Sequence, residues 1–139
     1  METTLTIHTL LPVRPEILYR IWMSSRMHSD FTGSPAVIDE RVGGAFSAWN
    51  GYITGKNLAL EPGFRILQSW RTTDFPADAP DSELELLMEA YTGGTVFTLV
   101  HRYLPPDQVE DYRLGWEEEY LQPLKDYLEN LMDGEDMHY

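Results

Sequence analysis

Leu5, Ile7, Thr9 and Leu11 alternate with Thr4, Thr6, His8 and Leu10, a period of two that predicts a first strand, ended by Pro12. The period then changes. Pro15, whose missing N–H suits a first helical position, precedes a stripe of Ile17, Leu18, Ile21 and Trp22 at helical spacing. Ser24 is placed to cap a second short helix through Met27 and His28, before the turn Thr32-Gly33-Ser34-Pro35. From Val37 the period returns to two. Strands are predicted at Val37–Val42, Gly44–Trp49, Tyr52–Leu60 and Phe64–Thr72, set apart by Gly43-Gly44, an Asn50-Gly51 hairpin and a Pro62-Gly63 turn. A polar loop with two prolines (Asp74–Ser82) leads to a last hairpin, Glu83–Tyr91 and Thr95–Tyr103, across Gly93-Gly94.

The C-terminal region is helical. Asp107 with Glu110 three residues on reads as a capping box, and Trp116, Tyr120, Leu124, Tyr127, Leu128 and Leu131 recur at spacings of three and four among acids. Pro123, inside that stripe, removes a donor and crowds the preceding turn, so a kink is expected there. Asp133–Tyr139 lack periodicity and read as a loose acidic tail, leaving 1–132 as a single domain. The order of strand, two helices, six strands and long helix is that of an α+β helix-grip fold. A curved antiparallel β-sheet would wrap around the long C-terminal helix, with two short helices after strand 1.

Composition narrows the function. The chain has 139 residues, 42% apolar, enough for one domain that buries about two thirds of its unfolded surface. It has no run of 18 apolar residues, so no membrane span is expected, and without a basic leader at its start the expected location is cytoplasmic. Zero cysteines exclude disulfides, thiol nucleophiles and cysteine-ligated metal. A net charge of −13 argues against binding nucleic acid through its phosphates. Residues 107–139 hold eleven acids against two bases, either a solvated helix face or a surface that docks a basic partner patch.

The stretch from Phe31 to Arg71 resembles the family of activators of the heat-shock protein 90 ATPase, in their C-terminal domain, which belongs to the START-like (SRPBCC) superfamily. The likeness lies in Phe31-Thr32, Gly43-Gly44-x-Phe46, the hairpin at Gly51, Ile53 and Gly55, and Trp70-Arg71. It continues through Trp22, Gly93-Gly94-Thr95, Pro105-Pro106 and Gly115-Trp116, from Thr6 to Leu128. The resemblance implies the helix-grip fold reached independently from the element order. It also implies an apolar tunnel between sheet and helix, or a co-chaperone-like protein-interaction module with a chaperone or other protein as partner.

Alternation supplies candidate tunnel liners: Phe97, Leu99 and His101 on one face of the last strand, and Leu84, Leu86 and Met88 on its neighbour. Trp22, Phe31, Phe46, Trp70, Trp116 and Tyr120 would complete an aromatic lining; the alternative is that these rings fill the core themselves. His101 is expected to face the helix. There it would meet the polar head of a hydrophobic small molecule, serve a cyclase- or dehydratase-like enzyme, or be satisfied by a backbone carbonyl, Tyr120 or Tyr112. Arg71 is expected to pair with Glu83, Glu85 or Glu89, or to clamp a ligand carboxylate. His8, His28 and His138 are not spaced as metal ligands, and Gly-x-Ser-x-Gly and Walker patterns are absent, so neither cofactor nor metal is expected. A non-enzymatic hydrophobic-ligand module is the leading expectation.

Overall fold

A computed structural model describes residues 3–136, and side chains as far as residue 131. The strands are β1 (Leu5–Leu11), β2 (Val37–Ile38), β3 (Ala45–Ala48), β4 (Ile53–Glu61), β5 (Arg65–Thr72), β6 (Ser82–Tyr91) and β7 (Gly94–Arg102). They form one curved antiparallel sheet in the order β1-β7-β6-β5-β4-β3-β2. Each strand from β2 to β7 pairs with the next, and β1 returns to flank β7, with Leu5 opposite His101 and Leu11 opposite Thr95. Between β1 and β2 lie α1 (Pro15–Met23), with Pro15 in its first turn, and α2 (Ser25–Thr32). The Ser24 hydroxyl accepts from the Met27 N–H at 3.1 Å, and Gly33 ends α2 in the left-handed region at φ 77°.

Alternation decides which sheet face is the core. Ile66, Gln68 and Trp70 on β5, Leu84, Leu86 and Met88 on β6, and Phe97, Leu99 and His101 on β7 are all buried. The intervening residues carry an ion-pair ladder on the other face: Arg65 to Glu85 at 2.6 Å, and Arg102 to Glu83 at 3.1 Å and to Glu85 at 2.7 Å.

Three local expectations are corrected. The run Val37–Val42 is a strand only at Val37–Ile38. The Asn57 side-chain amide holds the carbonyls of Asp39 and Arg41 at 2.7 and 3.0 Å, so the chain turns there. The Asn50-Gly51 turn is wider than two residues: Ala48 and Ile53 close it, and Trp49, Asn50 and Gly51 all take positive φ (54°, 56° and 89°). The Asp107/Glu110 capping box does not form. Pro105 and Pro106 steer the chain into a 3₁₀ turn (Pro106–Gln108), and no side chain caps that turn or the helix after it.

The C-terminal helix runs as α3 (Val109–Gly115), a π-helical segment (Trp116–Leu121) and α4 (Gln122–Asp136). Tyr112, Trp116, Tyr120, Leu124 and Leu128 are all buried and lie four residues apart. At 3.6 residues per turn, a spacing of four drifts about 40° at each step, so a uniform α-helix would wind this stripe off the core. The wider π turn winds it back. The same turn answers Pro123. The Gln122 N–H reaches five residues back to the Glu117 carbonyl, so the turn that leads into the proline is wider than an α turn. The helix continues to Asp136, and residues 137–139 of the expected tail lie outside the described residues. Among the described residues no helix is long and apolar enough to cross a membrane.

Gly55 on β4 lies opposite Phe46 on β3; a Cβ there would meet the Phe46 ring at 2.7 Å and overlap the Ser69 carbonyl oxygen. Gly55→Ala is therefore expected to cost about 2–3 kcal/mol through overpacking. Urea unfolding would measure it, and an unchanged midpoint would mean that β4 is not held this tightly against its neighbours.

Candidate functional site

Aromatic rings fill most of the space between sheet and helix. Trp22 from α1 stacks on Tyr120 with centroids 5.3 Å apart, Tyr120 packs on Trp116 at 4.7 Å, and Trp70 from β5 meets Trp116 at 5.8 Å. Deep in the interior a void of about 10 Å³ touches Trp22, His28, Phe46 and Leu84. A larger space lies nearer the surface, a cavity of about 390 Å³ that shares Trp70, Trp116 and Tyr120 with the void.

Three elements wall this cavity. The wide β3–β4 turn and the first residue of β4 supply Trp49, Tyr52 and Ile53, and β5 supplies Trp70. Trp49 stands at φ 54°, an uncommon conformation for a bulky residue, and this turn is what brings its ring to the cavity. From the helix come Asp111, Tyr112, Gly115, Trp116, Glu119 and Tyr120. The re-phasing π turn carries Trp116, Glu119 and Tyr120, so the irregular part of the helix is the part that forms the wall. Beside the wall the polar groups are tied together. The Tyr112 hydroxyl donates to Gln108 Oε1 at 2.7 Å and lies 2.6 Å from Thr72 Oγ1, while the Tyr52 hydroxyl donates to Asp74 at 2.6 Å. Burial pushes the Tyr112 phenol up to about 12, and Tyr52 is raised by burial and by its bond to Asp74.

Two buried histidines fix this helix to the rest of the fold, in opposite tautomers. Trp116 Nε1–H donates to His101 Nδ1 at 3.0 Å, so the His101 proton sits on Nε2 and goes to Ser82 Oγ at 2.8 Å. Ser82 in turn donates to the Trp70 carbonyl at 2.6 Å. His28 reverses the assignment. Its Nδ1–H donates to the Trp22 carbonyl at 2.8 Å, and its Nε2 accepts from the Tyr120 hydroxyl at 2.8 Å. Burial holds both rings neutral, pushing His28 down to about 4 and His101 down to about 3; burial also raises the Tyr120 phenol. His101 therefore has no free nitrogen for a ligand or a substrate proton. Its partners are Ser82 and Trp116, where a backbone carbonyl, Tyr120 or Tyr112 was expected, and the Tyr120 hydroxyl donates to His28.

Of the sequence candidates, Trp70, Trp116 and Tyr120 stand on the cavity wall, and all three with Trp22, Phe46 and Leu84 touch the small void. Phe31, Leu86, Met88, Phe97, Leu99 and His101 are buried in packed core, away from both spaces. Arg71 pairs with none of Glu83, Glu85 and Glu89: Arg65 and Arg102 hold Glu85 and Glu83, and Arg71 holds the 76–81 loop through Asp81 at 2.8 Å and the carbonyls of Ala79 and Pro76. Trp49, Tyr52, Asp111, Gly115 and Glu119 were not among the candidates. The available signal was the aromatic pair bracketing Asn50-Gly51.

A family profile described as Activator of Hsp90 ATPase homolog 1-like protein matches residues 12–129. The chain belongs to this family. The mouse activator of 90 kDa heat shock protein ATPase homolog 1 is 27% identical over 121 residues, 87% of this chain and 36% of that protein; the human one is 26% identical with the same coverage. The chain thus spans about a third of the length of these curated relatives. Among solved structures, an HSP90 activator from Plasmodium falciparum superposes with a TM-score of 0.83 at 23% identity, covering 91% of this chain and 96% of that one. A Chromobacterium violaceum protein gives 0.76 at 28% identity, covering 93% and 99%. This member of the activator-homologue family has the START-like helix-grip fold.

The neutral histidines predict how stability responds to acid. Each ring binds a proton near its ordinary value of 6.5 once unfolded, but only near 4 or 3 while folded. The unfolded chain therefore takes up more protons as pH drops below 6.5, and stability falls with it. From pH 6.5 to 5 the expected loss is about 3 kcal/mol for the pair. Denaturant unfolding at both pH values tests the loss, and long-range ¹H–¹⁵N spectra should show the two opposite tautomers at pH 5. Imidazolium signals from either ring in the folded protein would refute the assignment.

Proposed function

We propose that this domain is a non-enzymatic module that binds a small, flat hydrophobic molecule in the cavity between the β3–β4 turn and the C-terminal helix. The observation that carries this reading is the cavity itself, about 390 Å³ and walled mainly by aromatic rings. That volume lies within the several hundred cubic ångströms usual for small-molecule sites. A binding role fits better than a catalytic one because both ring nitrogens of His28 and of His101 are engaged within the protein.

A second reading has its own support. Curated relatives named as activators of the 90 kDa heat shock protein ATPase align over 87% of the chain, and the Plasmodium falciparum HSP90 activator superposes on it with little left over on either side. Under that reading the domain acts on an Hsp90-type chaperone, with the same cavity as a filled or regulatory element. Measuring chaperone ATPase turnover with and without the chain tests it directly.

Gly115 offers a clean block for the cavity. It is helical, it faces the space, and an added Cβ would meet nothing within 4 Å. A ligand at a hundredfold excess over its dissociation constant should add about 2.7 kcal/mol to the folded state and raise the melting midpoint by several degrees. Screening fatty acids, sterols and flavonoids should give such a saturable shift, and Gly115→Leu should abolish it. Gly115→Ala should fold more stably by about 0.5–1 kcal/mol, because a helical glycine is replaced without a clash. A shift that survives Gly115→Leu would place binding elsewhere on the protein.

A further inference from the structure

The charge around the cavity narrows the class of ligand. Its wall combines three tryptophans (Trp49, Trp70, Trp116) with three tyrosines, and among the described residues its charged groups are the carboxylates Asp111 and Glu119. Both are exposed, and neither has a hydrogen-bond or ion-pair partner among the described residues. The nearest base along the helix, Arg113, pairs instead with Glu110. A third carboxylate, Asp74, accepts from Tyr52 on the cavity wall. Among the described residues no lysine or arginine lines the space.

We propose that the cavity selects an organic cation: an aromatic or aliphatic body carrying an ammonium group, seated in the aromatic-walled space with its charge toward Asp111 and Glu119. This rests on the binding reading above and adds the sign of the charge. The physical grounds are twofold. The faces of indole and phenol rings are electron-rich and attract a cation within about 6 Å, most strongly where water is excluded. The carboxylates and the net charge of −13 act in the same direction, since a cleft lined by one sign of charge concentrates ligands of the other. An anion of the same shape meets repulsion from both sources. An uncharged molecule meets neither help nor hindrance, so charge, not size, separates the three.

A matched set of probes tests this: 1-naphthylmethylammonium, 1-naphthalenemethanol and 1-naphthoate share one ring system and differ in charge. Titrations followed by the tryptophan indole N–H signals should rank them in that order, with the ammonium binding about tenfold tighter than the alcohol in low salt. In the double variant D111N/E119Q that preference should shrink while binding of the alcohol persists; both positions are exposed, so the fold is not at stake. Equal or tighter binding of the alcohol overturns the cation proposal and leaves the hydrophobic cavity standing. Silence from all three probes on a folded protein overturns both.

Discussion

One buried relay sets the geometry on which the rest depends. Trp116 donates to His101, His101 to Ser82, and Ser82 to the carbonyl of Trp70, joining the C-terminal helix to β7, β6 and β5 in a single line. A buried polar group left without a partner costs more than a typical bond contributes, so the members stand or fall together. The consequence is rotational. The buried stripe sets which side of the helix faces the sheet, and the Trp116 N–H, which must meet one ring nitrogen, narrows the remaining roll about its axis. His28 applies a second restraint a turn further along, through Tyr120. With the roll fixed, Trp116 and Tyr120 become a wall and the residues beside them, Asp111 and Glu119, become a rim.

That restraint also explains where the open space lies. A tunnel along the helix would need small side chains inside, but Trp22, Phe31, Phe97 and Trp70 occupy the interior and leave a void large enough for about one water. Packing relaxes at the end where β3 and β4 are joined by a wide turn and the helix leaves its regular form. A run of three positive φ angles and a π segment face each other across the cavity. Both are departures from regular geometry that cost free energy, and such departures gather where a protein shapes a site rather than a core.

The element order and the core face could be read from the sequence because they follow from period and turn chemistry. Two-residue alternation on β5, β6 and β7 picks out the buried residues, and Pro15, Ser24 and Gly33 mark their helix ends. The cavity was less legible for a definite reason. Alternation says which face a strand residue occupies, not whether neighbours fill the space above it, so Leu86, Phe97 and Leu99 could not be told from Trp70. The helix stripe was visible, but its spacing of four was the overlooked clue: it fits the core only with a wider turn. His28 was hidden more deeply, since its partner Tyr120 lies 92 residues away, a pairing that only the three-dimensional fold reveals.

The acidic C-terminal third takes on a different meaning in this light. Among the described side chains its carboxylates, including Glu117 and Glu118, are exposed, where they keep the surface hydrated. Asp111 and Glu119 differ only in position. Eight residues apart, they lie on either side of Trp116 at the cavity. A uniform α-helix would turn residues eight apart by about 80° relative to one another, enough to swing one of them off the cavity. The π turn between them removes much of that rotation. The irregularity that keeps the aromatic stripe on the core thus also brings two carboxylates to one opening. Binding and charge selection are therefore two consequences of the same turn of helix, and a change that restored regular α-helix there would disturb both together.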